Sequence, residues 1–136
     1  MQRVSEAAVE VDGERISSIG PGLLVLLGIH RDDTTDDADR MARKLLALRI
    51  FEDADGRMNR SVADTGGEVL CVSQFTLYGD LRRGNRPSFV DAAAPADADP
   101  LYERVREMLG AQGGRFGARM VLSLVNDGPV TVLVDV

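Results

Sequence analysis

The longest apolar run in the chain, Leu23 to Ile29, stands directly behind Gly20-Pro21-Gly22. It is far too short to cross a bilayer, and its length and glycine–proline border suit a buried strand. The segments around it read as its partners. Val4 to Val11, an Asp12-Gly13 turn and Arg15 to Ile19 predict an opening β-hairpin. A helix is predicted from about Asp36 to Leu48, capped by Thr34 or Thr35, with acidic residues in its first turn. Ala38, Met41, Ala42, Leu45 and Leu48 give that helix one apolar stripe. Asp55-Gly56 marks a turn, and Gly66-Gly67 precedes a strand expected from Glu68 to about Leu77. Asp99-Pro100 reads as a cap followed by proline at the first helical position. Leu101, Val105, Met108 and Leu109 would form the apolar face of that second helix, and Gly110 its end. Two closing strands, Met120 to Val125 and Val130 to Val136, are expected to join through Asn126-Asp127-Gly128-Pro129. The chain carries no repeat or linker. The pattern predicts one α/β domain over residues 1–136, strand-rich, with a mixed, barrel-like sheet and two packed helices.

Charge narrows the functional classes. The chain has 22 acidic and 16 basic residues, a net charge of −6. Neutralising a long stretch of phosphate backbone needs the opposite balance, so extended RNA or DNA binding is disfavoured. A local grip on one nucleic-acid end remains open, because Arg82, Arg83 and Arg86 cluster in a segment poor in acid. The acidic residues gather from Asp32 to Asp39. With no cationic apolar leader and a single cysteine, Cys71, the chain reads as cytoplasmic and without an internal disulfide.

Two segments could carry chemistry. The first is Ser73-Gln74-Phe75-Thr76-Leu77-Tyr78-Gly79-Asp80, running on to Arg86-Pro87-Ser88-Phe89. Strand alternation puts Val69, Cys71, Ser73 and Phe75 on one face, and Leu70, Val72, Gln74 and Thr76 on the other. Polar groups thus appear on both faces where a buried strand ends, a place where sites are commonly built. On spacing alone, a strand running out into solvent explains them more simply. The second segment is Asn126-Asp127-Gly128-Pro129-Val130-Thr131, for which a hairpin turn is the plain reading. Its Gly-Pro bond could be cis or trans.

Together these segments resemble the paired signatures of the D-aminoacyl-tRNA deacylase family. The resemblance extends to Gln2-Arg3-Val4, Gly22 to Gly28, Arg49-Ile50-Phe51, Gly56-Arg57-Met58-Asn59 and Arg86-Pro87-Ser88-Phe89. It runs in order through nearly the whole chain, although the stretch Gly110 to Met120 is shorter than in the family pattern. It implies a homodimer in which Gly128-Pro129 of one subunit enters the pocket of the other. There its carbonyls would exclude an L-amino acid side chain while leaving room for D-residues and glycine. It further implies that Ser73, Gln74, Phe75 and Thr76 line the pocket for the terminal adenosine and scissile ester of an aminoacyl-tRNA 3′ end, with Phe89 beside it. The implied reaction is hydrolysis of D-aminoacyl-tRNA, and of glycine mischarged on tRNA, with no membrane involved.

The residues themselves offer no conventional nucleophile. The single histidine, His30, and the single lysine, Lys44, read as solvated groups, and Cys71 as a small core residue. Catalysis is therefore expected from substrate orientation and from backbone donors around Phe75 and Thr76, with the ribose hydroxyl neighbouring the ester assisting. No cofactor or metal is expected, since Glu52, Asp53 and Asp55 lack the full spacing of a calcium loop. The alternatives are a non-catalytic module of the same fold that binds a nucleic-acid end, and a deacylase with relaxed specificity towards L-amino acids.

Overall fold

In the computed structural model, which describes residues Met1 to Val136, the opening hairpin forms as its turn residues predict. Strand β1 (Gln2–Val11) turns at Asp12-Gly13 into antiparallel β2 (Glu14–Ile19). The apolar run becomes β3 (Gly22–Leu27), antiparallel to the first residues of β1. Helix α1 (Thr35–Ala47) follows. It is capped by Thr34, whose side chain accepts from the Asp37 N–H while the Asp37 carboxylate accepts from the Thr34 N–H. Strands β4 (Phe51–Glu52) and β5 (Met58–Arg60) form a small separate hairpin across Asp55-Gly56. A one-turn helix, α2 (Val62–Thr65), comes next, and the sequence reading missed it. Its signal was present in Ser61-x-x-Asp64, which forms a second capping box.

Strand β6 (Glu68–Ser73) then pairs parallel with β3 along its whole length, from Gly22 opposite Glu68 to Leu27 opposite Ser73. Helix α3 (Pro95–Met108) leads to a short β7 (Gln112–Gly113), parallel to β6, and β8 (Val121–Thr131) closes the chain against β1. The strand order is β2-β1-β3-β6-β7, with β8 on the other edge of β1. The Ser17 hydroxyl donates to the Gly113 carbonyl at 2.8 Å, and the Ser18 N–H donates to Gln112 Oε1 at 3.0 Å. These contacts bring β2 to β7 and curl the mixed sheet into a nearly closed barrel, the barrel-like α/β fold expected of the chain.

Both faces of β3 and β6 are buried. Leu23, Val25, Leu27, Val69 and Cys71 face α1 and α3, whereas Leu24, Leu70 and Val72 face the barrel interior with Val4, Val9 and Ile19. The alternation predicted for β6 therefore sorts its residues between two cores. Gly22 makes the parallel pair possible: a Cβ there would lie 1.8 Å from the Glu68 carbonyl oxygen.

Three features differ from the sequence expectation. The second helix starts at Pro95 behind Ala94, not at Asp99-Pro100, and Pro100 lies inside it. Pro95 already supplies the N1 proline, and the buried residues Ala98 and Tyr102 extend the apolar face upstream. Met108, expected on that face, is exposed. The closing strands are not a hairpin. Residues 121–131 run as one strand along β1, and Asp127 to Val130 form a bulge in it. Val4 pairs with Asn126 and Gln2 with Thr131, so the extra residues are pushed out of the ladder instead of reversing it.

Tyr102 donates its hydroxyl to the Cys71 carbonyl at 2.7 Å, tying α3 to β6 within the core. Burial pushes the Tyr102 phenol and the Cys71 thiol each up to about 12, from ordinary values of 10.0 and 9.0. Raised folded-state values favour the protonated forms, so this contribution is complete below the unfolded values and lost as pH rises towards 12. Urea unfolding should give a constant stability near neutral pH and a decline beginning at about pH 9, steepening above about pH 10. A Cys71→Ala variant should lack the earlier part of that decline.

Candidate active site

Beyond Leu27, β3 has no residue to offer β6. The Gln74 N–H donates to the Leu27 carbonyl at 2.8 Å, and the chain then leaves the sheet. Phe75–Tyr78 coil into a 3-10 turn where the sequence reading extended the strand to Leu77. Gly28 permits this, since a Cβ there would sit 3.1 Å from the Tyr78 ring and 3.3 Å from Leu77 Cβ. Alternation therefore ends at Ser73, and the expected facing of Phe75 and Thr76 is lost with it. Phe75 instead projects outward, 54% exposed, with Thr76 exposed beside it. The N–H groups that open a 3-10 turn have no partner inside it, which leaves those of Phe75 and Thr76 turned out of the helical ladder.

After Gly79 the chain makes a loop closed by paired bonds, Asp80 N–H to the Ser88 carbonyl at 2.8 Å and the reverse at 2.9 Å. Phe89 then returns against Phe75, their ring centroids 5.0 Å apart in an edge-to-face arrangement. A cleft of about 670 Å³ opens beside them. Ser73, Gln74, Phe75 and Phe89 line it, together with Ala92–Pro95 and Ala98 from the start of α3 and Phe116, Met120 and Leu122 from the approach to and start of β8. No charged side chain lines it. Thr76 is not part of the lining; its hydroxyl accepts from the Gln74 carboxamide. Sequence reasoning missed the two walls. The alanine run before Pro95 and the aromatic Phe116 among glycines were the available signals.

Gly128 and Pro129 lie elsewhere. Their peptide bond is cis, they are exposed at the tip of the β8 bulge, and neither lines the cleft of its own chain. What holds the bulge is Arg3, which sequence reasoning left without a role. Its side chain is buried on β1; Nη1 donates to the Ile50 carbonyl at 2.7 Å and Nε to the Asp127 carbonyl at 3.0 Å. Hydrogen bonds from a charged donor to carbonyls, shielded from water, are among the stronger single contacts available. Gly128 has φ of 129°, and a Cβ there would meet Val130 Cγ2 at 2.8 Å and Arg3 Nη2 at 3.1 Å. The signal for Arg3 was a charge at an inward position of an otherwise apolar strand.

The remaining candidates stand apart from the cleft. His30 packs edge-on against Tyr78 at 5.3 Å and its Nδ1 accepts from the Asp32 N–H, so it is partly covered and not simply solvated. Lys44 lies on the exposed side of α1, and Cys71 is fully buried. Asp53 accepts from the Arg57 and Asp55 N–H groups and from Asn59, which organises the β4–β5 turn.

The chain matches the family model described as D-Tyr-tRNA(Tyr) deacylase over residues 1–135. Among curated relatives, it is 56% identical to a D-aminoacyl-tRNA deacylase of Symbiobacterium thermophilum, covering 99% of this chain and 93% of the relative. It is 59% identical to one of Anaeromyxobacter dehalogenans, covering 99% and 94%. A solved structure described as a c-Myc DNA Unwinding Element Binding Protein superposes with a TM-score of 0.91 at 45% identity, covering 96% of this chain and 93% of that one. A probable eukaryotic D-amino acid tRNA deacylase shares the fold at a TM-score of 0.78 and 20% identity, covering 94% and 92%.

The tie from Arg3 to the bulge has a direct consequence. Arg3→Leu should free residues 126–130 while leaving the rest of β8 paired. Hydrogen exchange should accelerate at the amides of Asp127, Gly128 and Val130 by at least about tenfold relative to Leu122–Leu124, the loss of about 1.4 kcal/mol of local protection. Equal acceleration along the whole strand would show that Arg3 supports the fold and not the bulge in particular.

Proposed function

The chain belongs to the D-Tyr-tRNA(Tyr) deacylase family and is a D-aminoacyl-tRNA deacylase, a hydrolase of the aminoacyl ester; we propose that it cuts the ester at the cleft beside Phe75 and Phe89. The observation that carries this reading is the meeting of Ser73, Gln74, Phe75 and Phe89 around one uncharged, largely apolar cleft. A terminal adenine is a flat, neutral ring with polar edges. Such a space would take it, with aromatic edges and small side chains against its faces and Ser73 and Gln74 at its rim.

The ester would then lie at the 3-10 turn. Thr76 has the Gln74 carboxamide as hydrogen-bond partner, a group that donates to its oxygen and cannot remove its proton. His30 and Lys44 are outside the cleft lining. Nucleophilic attack by Thr76 therefore lacks a base. In the proposed mechanism, the outward N–H groups of Phe75 and Thr76 hold the developing oxyanion. The ribose hydroxyl adjacent to the ester positions the attacking water. The oxyanion collapses, the ribose oxygen leaves with a proton, and free amino acid and tRNA result.

Gly128 and Pro129 are exposed and outside the cleft of their own chain, so a role at the ester requires a second subunit. The exposed apolar residues Val121 and Val125 on β8, the strand that carries the bulge, support such a pairing. In the homodimer we propose, one subunit's Gly128-Pro129 enters the other's cleft, and its rigid backbone rejects L-side chains whatever their chemistry. Glycine, having no side chain to reject, would be accepted as D-residues are. The protein would act in the cytoplasm, where aminoacyl-tRNA is used. The DNA-binding name of one structural neighbour favours a second reading, a nucleic-acid-binding module; the net charge of −6 counts against an extended duplex footprint here.

Purified protein without added metal should release D-tyrosine from D-tyrosyl-tRNA and leave L-tyrosyl-tRNA intact. Cleavage of both esters would leave the hydrolase standing and remove the filter; cleavage of neither would turn the reading towards binding alone. Thr76→Ala should keep kcat within about tenfold of wild type, since a supporting hydrogen bond and not the nucleophile is lost. A loss of several orders of magnitude with the fold intact would make Thr76 the nucleophile. Sedimentation should give twice the chain mass of 14.7 kDa, and Val125→Asp on β8 should shift it to the monomer and abolish turnover. An active monomer would refute the composite site.

A further inference from the structure

The cleft lining is uncharged, yet two segments adjoining its lining residues carry arginines with nothing to bind. The first is the loop closed by the Asp80–Ser88 pair, one residue before Phe89. Within it, Arg82 is committed: its guanidinium donates to both Asp80 carboxylate oxygens, at 2.7 to 3.0 Å, and holds that carboxyl down at about 2. Arg83 and Arg86 are exposed and take part in no ion pair or hydrogen bond. The second segment carries the lining residues Phe116, Gly117, Ala118 and Met120, and interleaves them with Arg115 and Arg119, both likewise exposed and unpaired. Of the acids that flank the first loop, Asp80 is held by Arg82 and Asp91 lies 3.6 Å from Arg31. In a chain of net charge −6, unpaired guanidinium groups next to the lining residues of one neutral cleft call for a polyanion that enters it by a neutral end.

We infer that Arg83 and Arg86, just before Phe89, and Arg115 and Arg119, beside Phe116 and Met120, bind the backbone phosphates of the nucleotides that precede the terminal adenosine. This rests on the cleft being the site of the terminal nucleotide, as proposed above. Arg86 stands three residues from Phe89, a span of about 10 Å at full extension, and Arg115 and Arg119 adjoin lining residues directly. The guanidinium fork matches phosphate oxygens in pairs and carries no base preference. Such contacts supply affinity common to every tRNA, and they explain how an acidic protein holds one: by its last nucleotides, not along its length.

The test compares two esters of the same acyl group, D-tyrosyl-tRNA and 3′-O-D-tyrosyl-adenosine, the second lacking every preceding phosphate. For wild type, log(kcat/KM) on the tRNA ester should fall with log[salt], and on the adenosine ester should not. Arg83→Gln with Arg86→Gln should raise KM for the tRNA ester about tenfold at low salt, with kcat unchanged, and reduce the salt slope by about 1.4 to 1.8. Arg115→Gln with Arg119→Gln should do the same. Neither pair should alter hydrolysis of the adenosine ester, which also reports that each variant is folded. An unchanged KM and slope on the tRNA ester, with wild type active on both, would overturn the arginine assignment and leave the site intact. Failure of wild type to cleave either ester would overturn the site and the assignment together.

Discussion

Parallel pairing of β3 with β6 is the contact on which the remaining structure depends. It is possible because Gly22 lets the two backbones meet at the start of the pair, where any side chain would strike the Glu68 carbonyl. From there each strand sends alternate residues to opposite cores, Leu23, Val25 and Leu27 towards the helices, and Leu24 into the barrel. The pair ends at Leu27 and Ser73, and that ending opens the cleft. The Gln74 N–H takes the last carbonyl of β3, and the chain must turn out of the sheet into the 3-10 segment. The site is thus a consequence of where two buried strands run out of each other.

The bulge on β8 follows a similar logic from the other side of the barrel. β1 is engaged on both edges, by β2 and β3 on one and β8 on the other. The surplus residues between Asn126 and Thr131 cannot be absorbed by a partner with fewer, so they stand out of the ladder. Arg3 fixes where they stand, because its guanidinium is buried and spends its donors on Ile50 and Asp127 carbonyls. A displaced bulge would break one of the two bonds of that guanidinium, at a cost of about 1.5–3 kcal/mol. Rigidity at Gly128-Pro129 therefore comes from a side chain in the adjacent strand.

Much of this was legible in the sequence where local chemistry and tertiary context agree. Asp12-Gly13, Thr34 with Asp37, and the apolar run behind Gly22 each specify their element locally, and each element formed. The errors have one cause in common. Phe75, Thr76 and Tyr78 favour strand by propensity, yet no strand remains for them to pair with. Asn126 to Pro129 have turn chemistry, yet β1 holds the chain on both sides of them and converts a turn into a bulge. Asp99-Pro100 has the form of a cap, yet Pro95 pre-empts it and packing of Ala98 extends the helix. Each depends on a partner distant in sequence. The residues of the candidate site were nameable from the family resemblance, but their surroundings were not. Phe116 and Leu122 reach the cleft only because β7 and β8 close the barrel.

The division between an uncharged cleft and charged rims bears on how such a site can be both general and selective. Discrimination between enantiomers must come from contacts that differ between them, and a phosphate contact does not differ. On the proposed reading, guanidinium groups outside the cleft would raise affinity equally for every substrate and leave selection to the geometry within. A charged group inside would reverse this, favouring acyl groups of one sign over others. Nor would it help the chemistry on the proposed path, since the outward N–H groups of the 3-10 turn are fixed by the backbone and need no titration to act. A neutral cleft with its charged contacts kept outside it is therefore the arrangement that the proposed filter, indifferent to side-chain chemistry, would need.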